Sequence, residues 1–285
     1  MLKANNLKTY ALLFLILLNV FIFYSLFLKS DTQKIKVIFL DVGQGDAIFI
    51  ESPTGNQFLI DGGPDTAILK SLGRVMPFFD RSIDAILVTH PDQDHIGGLP
   101  EVIKNYSVKK YFSNGATSST GTSKELQDLI KKNNIENFTV EEGEVIDLGE
   151  GVLIKILYPN KENLSGQDTN DSSVIVKLYY GNTSFLLTGD APTKVEQYLA
   201  FIKTSEIDSD VLKVAHHGSK NSLSPDFFSA VSPEYSIISA GKNNRYGHPD
   251  KEIIDALNGM KTKILETFVV GDIIFVSDGE NLELK

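Results

Sequence analysis

Four apolar, strand-like runs in this chain each stop directly at a residue that binds protons or cations. "QFLID" ends at Asp61, "IDAILVTH" at His90, "TSFLLTGD" at Asp190 and "VLKVAH" at His216. Such short, continuous apolar runs read as strands buried on both faces. Helical stretches separate them: "TAILKSLGRVMPFF", "LPEVIKNY", the amphipathic "SKELQDLIKKNN" with Ser123 as its cap, "TKVEQYLAFI" and "DKEIIDAL". Pro53-Thr54-Gly55-Asn56 and Gly181-Asn182 sit where hairpins would turn. Strands and helices alternate through two halves of similar plan. The expectation is an α/β fold with two sheets packed together and helices outside. In layered folds of this kind, functional side chains gather where loops leave the ends of rigid strands.

Composition limits the chemistry. The 285 residues contain no cysteine, which excludes disulfides, thiolate metal sites and cysteine nucleophiles. The formal net charge is −10, which repels a polyanion. A phosphate substrate therefore requires local positive charge, from a metal or a small basic patch.

The N-terminus has its own character. Residues 10–28, "YALLFLILLNVFIFYSLFL", carry no charge, with Lys3 and Lys8 before them and Lys29 after. A membrane span needs about 20 apolar residues. The expectation is a retained single-pass anchor within residues 1–30, its basic flank cytoplasmic, with a domain of residues 35–285 on the extracytoplasmic side. The competing reading is a cleaved signal, which would release the domain as a secreted protein.

The segment "LVTHPDQDHIGG", Leu87 to Gly98, concentrates the chemistry. Imidazole and carboxylate are the ligands that zinc, manganese and iron take. A loop between strand and helix projects His90 and Asp92 one way and Asp94 and His95 another, enough for two adjacent metal sites. Gly97 and Gly98 permit close backbone approach or an unusual turn. The bland alternative is a polar turn with Asp94 as a helix cap. "DVGQGD", residues 41–46, lacks the third glycine and the helix of a dinucleotide fingerprint. It is either a tight turn or a loop that sets Gln44 or Asp46 beside the pocket. Ser219, Lys220, Asn221 and Ser222 after the paired histidines are either turn residues or donors to phosphate oxygens. Lys242, Asn243, Asn244 and Arg245 form a second basic, amide-rich loop.

"THPDQDHIGG" resembles the metal-binding signature of the metallo-β-lactamase fold. It is closer to the variant in the soluble domain of ComEC-type DNA-uptake (competence) proteins, where aspartate replaces the second histidine. "FLDVGQGDAIFI", "LIDGG", "NDSSVIVKL", "LLTGD", "LKVAHHGSKNS" and "YGHP" follow in that family's order, over about residues 35–280. The resemblance implies a four-layer αββα sandwich. It also implies a metal-dependent hydrolase with two divalent ions, zinc or manganese, magnesium being admissible. His90, Asp92 and Asp190 would hold one ion. Asp94, His95 and His216 would hold the other, with Asp190 bridging. His217 would then support a ligand or face substrate, Asp94 would serve catalysis, and Asp61 would orient ligands by hydrogen bonds. The broader fold has a further histidine where this chain reads "TNDSS". Asn170 or Asp171 occupies that position. His248 of "YGHP" would bind a phosphate or donate a proton. The implied substrate is a phosphodiester in nucleic acid or nucleotides. Hydrolysis of a small lactam, lactone or ester is the alternative enzyme, and a membrane-tethered, non-catalytic binding module the alternative class. A channel partner stays open.

Overall fold

The computed structural model describes residues 2–28, 33–160 and 168–285, with backbone alone for 2–7 and 25–28. Two compact units emerge, residues 1–33 and 34–285. The first is helix α1, Leu2–Leu28. Its side chains from Tyr10 to Tyr24 are exposed. Among the residues whose side chains are described, no helix is long and apolar enough to cross a membrane. The expected span of 10–28 runs past them, and Lys3 and Lys29 lie outside them.

The second unit holds two sheets. The strands in chain order are β1 (Ile35–Phe39), β2 (Ile48–Glu51), β3 (Gln57–Ile60), β4 (Ser82–Val88), β5 (Ser107–Ser113), β6 (Glu136–Thr139), β7 (Val145–Asp147) and β8 (Val152–Tyr158). They continue with β9 (Ile175–Tyr180), β10 (Thr183–Leu187), β11 (Val211–Lys213), β12 (Tyr235–Ile238), β13 (Lys263–Glu266), β14 (Ile273–Ser277) and β15 (Leu282–Leu284). The first sheet runs β15-β14-β1-β2-β3-β4-β5-β6 and the second β13-β12-β11-β10-β9-β8-β7. Strands β3 to β6 pair in parallel, as do β10 to β13. Their C-terminal ends therefore share an edge within each sheet.

Strand alternation explains the layering. Ile35, Val37 and Phe39 of β1 point into a core shared with Val152, Ile154, Ile156, Phe185 and Leu187 of the second sheet. Ile38 points the other way, into a cluster completed by α2 (Ala67–Val75), the single turn α3 (Gln93–Ile96), α4 (Leu99–Asn105) and α5 (Gly121–Lys132). The second sheet's outer face supplies Leu186 and Leu212. These meet α6 (Thr193–Ile202), α7 (Pro225–Val231) and α8 (Lys251–Gly259). The result is helix, sheet, sheet, helix, as expected. The sheets lock through aromatics: Phe275 of β14 meets Phe39 of β1 at 6.2 Å and Phe185 of β10 at 5.7 Å, both edge-on. Truncating such a buried phenylalanine to alanine costs about 3–5 kcal/mol.

Local differences from the sequence reading have local causes. The helix expected over residues 66–79 stops at Val75, because Met76 precedes Pro77 and takes an extended conformation. Helix α5 is capped by Thr120, whose hydroxyl accepts from the Ser123 N–H, so Ser123 lies inside the helix. The closing segment contains a one-turn helix, α9 (Thr267–Val270), between strands.

Candidate metal centre

Strand ends from both sheets converge. Asp61 follows β3 and His90 follows β4 in the first sheet, while Asp190 follows β10 and His216-His217 follow β11 in the second. Donor atoms of Asp94, His95, Asp190 and His217 all lie within 4.8 Å of one another. Asp190 spans the group: Oδ1 is 3.3 Å from His95 Nε2 and Oδ2 is 3.4 Å from His217 Nε2. Asp94 Oδ2 lies 3.3 Å from the same His217 nitrogen.

Hydrogen bonds behind the histidines fix which nitrogen faces the cluster. His217 Nδ1–H donates to the Ser239 carbonyl at 2.8 Å. His95 Nδ1–H donates to Asp61 Oδ2 at 2.8 Å. The Thr89 hydroxyl donates to Asp61 Oδ2, so it accepts from His90 Nδ1–H at 3.0 Å. Each ring thus turns its Nε2 forward. The Nε2 atoms of His90, His95 and His217 and Oδ1 of Asp190 are buried without hydrogen-bond partners. Buried polar atoms are ordinarily satisfied. Convergent imidazole lone pairs and a carboxylate left open together fit a divalent cation, and the orienting bonds behind them are the kind that tune such ligands.

The charges agree. Burial opposes charge on His95 and His217, but the surrounding carboxylates, Asp190 foremost, outweigh it and raise both well above the usual imidazole range. Burial works against Asp190 as well, yet His217 and His95 hold it well below the carboxylate range. A bound cation would take the place of those protons on His95 and His217. His90 behaves oppositely: burial, aided by His95, lowers it to about 4.

A profile of the Metallo-beta-lactamase superfamily matches residues 40–242. The chain belongs to that superfamily. ComE operon protein 3 of Bacillus subtilis is 32% identical over 81% of this chain and 32% of its own length. Recombination protein 2 of Haemophilus influenzae is 30% identical over 91% of this chain and 31% of its own length. The chain thus spans about a third of these relatives, and the expected kinship with competence proteins is borne out in Competence protein ComA of Neisseria gonorrhoeae at 29%. Two solved structures share the fold at a TM-score of 0.53. They are the metallo-β-lactamase fold protein YhfI of Bacillus subtilis (11% identical, 81% of this chain and 95% of that one) and Igni18 of Ignicoccus hospitalis (15%, 85% and 98%).

Within this superfamily fold, the paired histidines exchange the expected roles in space. His216 and His217 both take left-handed backbone angles, with φ of 51° and 56°. The chain turns sharply there, so the second ring enters the cluster and the first stands outside. His216 is partly exposed, with Nε2 3.8 Å from Asp190 Oδ2. His90 and Asp92 lie alongside, outside the tight group. The His90 ring is 4.1 Å from that of His95, and its Nε2 is 3.7 Å from Asp92 Oδ2. Thr169 donates to Asp92 Oδ1 at 2.7 Å. Asn170 leaves its Oδ1 buried and unbonded, whereas Asp171 turns to Lys194 at 2.5 Å. Of the two, Asn170 has the open donor.

Asp46 lies behind His217, with Oδ1 3.3 Å from its Nδ1. Its Oδ2 is 2.8 Å from Nζ of Lys213, a fully buried lysine at the end of β11. Burial alone would raise Asp46, but Lys213 and His217 hold it at about 2. The Asp46 N–H bonds the Asp94 carbonyl, and its own carbonyl accepts from the Gly63 N–H. "DVGQGD" thus braces the ligand loops. A side chain at Gly45 would strike the Asp94 carbonyl at 2.1 Å, and one at Gly97 the Pro64 carbonyl at 1.9 Å, so close backbone approach is what these glycines supply. Ser219 and Ser222 close the turn after the histidines: the Ser219 N–H bonds the His216 carbonyl, and the Ser222 hydroxyl bonds the Ala215 carbonyl. Lys220 leaves its ammonium exposed, its N–H bonded to Asp250. His248 sits at the rim, its ring 5.9 Å from that of His216. Sequence reasoning missed Lys213, Thr89, Thr169 and Ser239. Of these, Lys213 carried a signal, as a lone charge within an otherwise apolar strand.

Proposed function

We propose that the chain is a metal-dependent phosphodiesterase acting on nucleic acid or nucleotides. The observation that carries the reading is the buried set of unbonded donors on His90, His95, His217 and Asp190, with Asp94 beside them. In this reading Asp94, His95, Asp190 and His217 hold one ion, and His90, Asp92 and Asn170, with Asp190 bridging, hold the other. Bound divalent ions supply Lewis acidity and charge neutralisation for hydrolysis near neutral pH. A donor set this rich in carboxylates accepts manganese and magnesium as well as zinc. Asp61 and Ser239 orient the imidazoles, and Thr169 orients Asp92.

The phosphodiester is favoured by charge. The Lys220 and Lys242 side chains form no ion pair with a carboxylate among the described residues, and Arg245, bonded to Tyr246, is drawn towards Asp94 of the acidic centre. The names of the relatives, a competence protein and a recombination protein, support nucleic acid as the polymer. We extend the reading to residues 10–28 as a membrane anchor, with the hydrolase domain outside the cytoplasm. The exposed, uncharged side chains from Tyr10 to Tyr24 support it. Extraction of membranes at alkaline pH tests the anchor, and a chain that washes off removes it.

The decisive experiment loads the purified chain with manganese or zinc. It then assays bis(p-nitrophenyl) phosphate and DNA beside nitrocefin and a lactone. Wild type is expected to cleave the phosphodiesters. Asp94→Ala is expected to lower turnover at least about a thousandfold, in the range seen when a central electrostatic group is removed, with its circular dichroism unchanged. Full turnover by that variant refutes the site. Cleavage of nitrocefin or lactone alone refutes the substrate class. A wild-type protein that takes up no metal leaves only a binding module.

A further inference from the structure

Beside the metal centre, four side chains form a graded stack. The Arg245 guanidinium lies 4.7 Å over the Tyr246 ring. Tyr246 is nearly parallel to His248, at 10° and 5.9 Å between ring centres. His248 meets His216 edge-on at 5.9 Å, and His216 Nε2 is 3.8 Å from Asp190 Oδ2. The ladder therefore runs from solvent, where Tyr246 is half exposed, to the candidate ligands.

This loop is built rather than loose. The Asn244 side-chain carbonyl accepts from the N–H groups of both Tyr246 and His248, and its amide donates to the carbonyls of Gly241 and His248. One base of the loop is fixed where Gly241 N–H bonds Gln44 Oε1 at 3.0 Å. The other is fixed where Asp250 N–H bonds the Gly218 carbonyl at 2.9 Å. Hydrogen bonding of Tyr246 to Arg245 holds the outer pair together. None of this bracing serves the sandwich core; it holds the half-exposed Tyr246 ring, with Arg245 over it and His248 parallel to it, at the site's rim.

We propose that Tyr246, backed by Arg245 and His248, is a stacking platform for the unpaired bases of a single-stranded nucleic acid. His216 marks the inner end, where the backbone meets the metal centre. A half-exposed aromatic ring carrying a guanidinium, with Lys242 in the same loop and Lys220 in the turn after the paired histidines, is the combination a sequence-tolerant single-strand groove uses. A duplex has no unstacked base to offer such a face. The inference takes its substrate class from the phosphodiesterase reading, but its test does not need catalysis.

The test measures anisotropy of a fluorescein-labelled oligothymidine and of a duplex of equal length, with the purified chain in EDTA. Wild type is expected to prefer the single strand. Tyr246→Ala is expected to weaken single-strand binding about thirtyfold, the middle of the range for loss of one base–aromatic stack, and Tyr246→Phe to restore it. Lys242→Ala is expected to weaken both ligands alike and to flatten the salt dependence. Equal binding by Tyr246→Ala and wild type overturns the platform, whether or not the protein hydrolyses phosphodiesters. Equal wild-type affinity for both ligands overturns it too. Tyr246-dependent single-strand binding by a protein that cleaves no phosphodiester leaves the platform standing and removes the hydrolytic reading.

Discussion

The two halves of the candidate centre are built to different standards. Around Asp94, His95, Asp190 and His217, every ring has a hydrogen-bonded backing group, and Lys213–Asp46 lies behind one of them. Around His90, Asp92 and Asn170, the support thins to two hydroxyls, Thr89 and Thr169. Asn170 there offers a neutral amide oxygen, a poorer donor than imidazole or carboxylate. In the proposed two-ion reading, the difference teaches that a shared bridging carboxylate would not imply equal grip. The braced half is expected to keep its ion under chelation that strips the other.

The comparison is tested most severely at Lys213. Lys213→Met strips the buried Asp46 of its lysine and leaves it facing imidazole alone, and breaking a buried pair in this way costs up to about 3–5 kcal/mol. Urea unfolding of the metal-free protein should show that loss. A change under about 1 kcal/mol would mean that the ion pair braces nothing.

Protonation gives the next largest effect, with opposite signs in the two halves. The lowered His90 contributes stability that is complete above the unfolded imidazole pKa of about 6.5 and is lost as pH falls through about 4. The shift corresponds to about 3 kcal/mol. His95 and His217 are raised, so their contribution is complete below about 6.5 and is lost as pH rises through their folded values. In EDTA, the acid arm of the stability curve should therefore flatten in His90→Gln, and the alkaline arm should flatten in His217→Gln. The reverse assignment of arms would contradict the tautomers described above.

The smallest effect sharpens the comparison. Asn170→Ala is expected to weaken one of two bound zinc ions about tenfold and leave the other untouched, the lower range for a supporting group. Competition with a chromophoric chelator reads both. If both ions weaken together, the halves are one site.

Much of this arrangement is legible in the sequence because strands buried on both faces leave no ambiguity about where they end. Asp61, His90 and Asp190 follow such strands, and the structure sets all three at the seam. The paired histidines are not legible in the same way. His216 comes first off the strand and is favoured for that reason, but two successive left-handed residues reverse which ring turns inward, and no side-chain pattern encodes that. Lys213 hides because lysine in a strand ordinarily marks a solvent face, whereas here its partner arrives from the other sheet. Asn170 and Asp171 are chemically alike in the sequence. Only Lys194, supplied by a distant helix, draws one of them away.

The pairing of β1 with β14 sets the order in which this protein can mature. Ile35–Phe39 gains β2 as a neighbour almost at once, but Ile273–Ser277 is translated only after β2 to β13. Until then an apolar strand destined for the interior shows a bare edge to any other growing polypeptide, the kind of surface that recruits chaperones or seeds clumping. Ribosome stalling after residue 217 would thus yield a nascent chain with every proposed ligand already present and its oldest strand still unsealed.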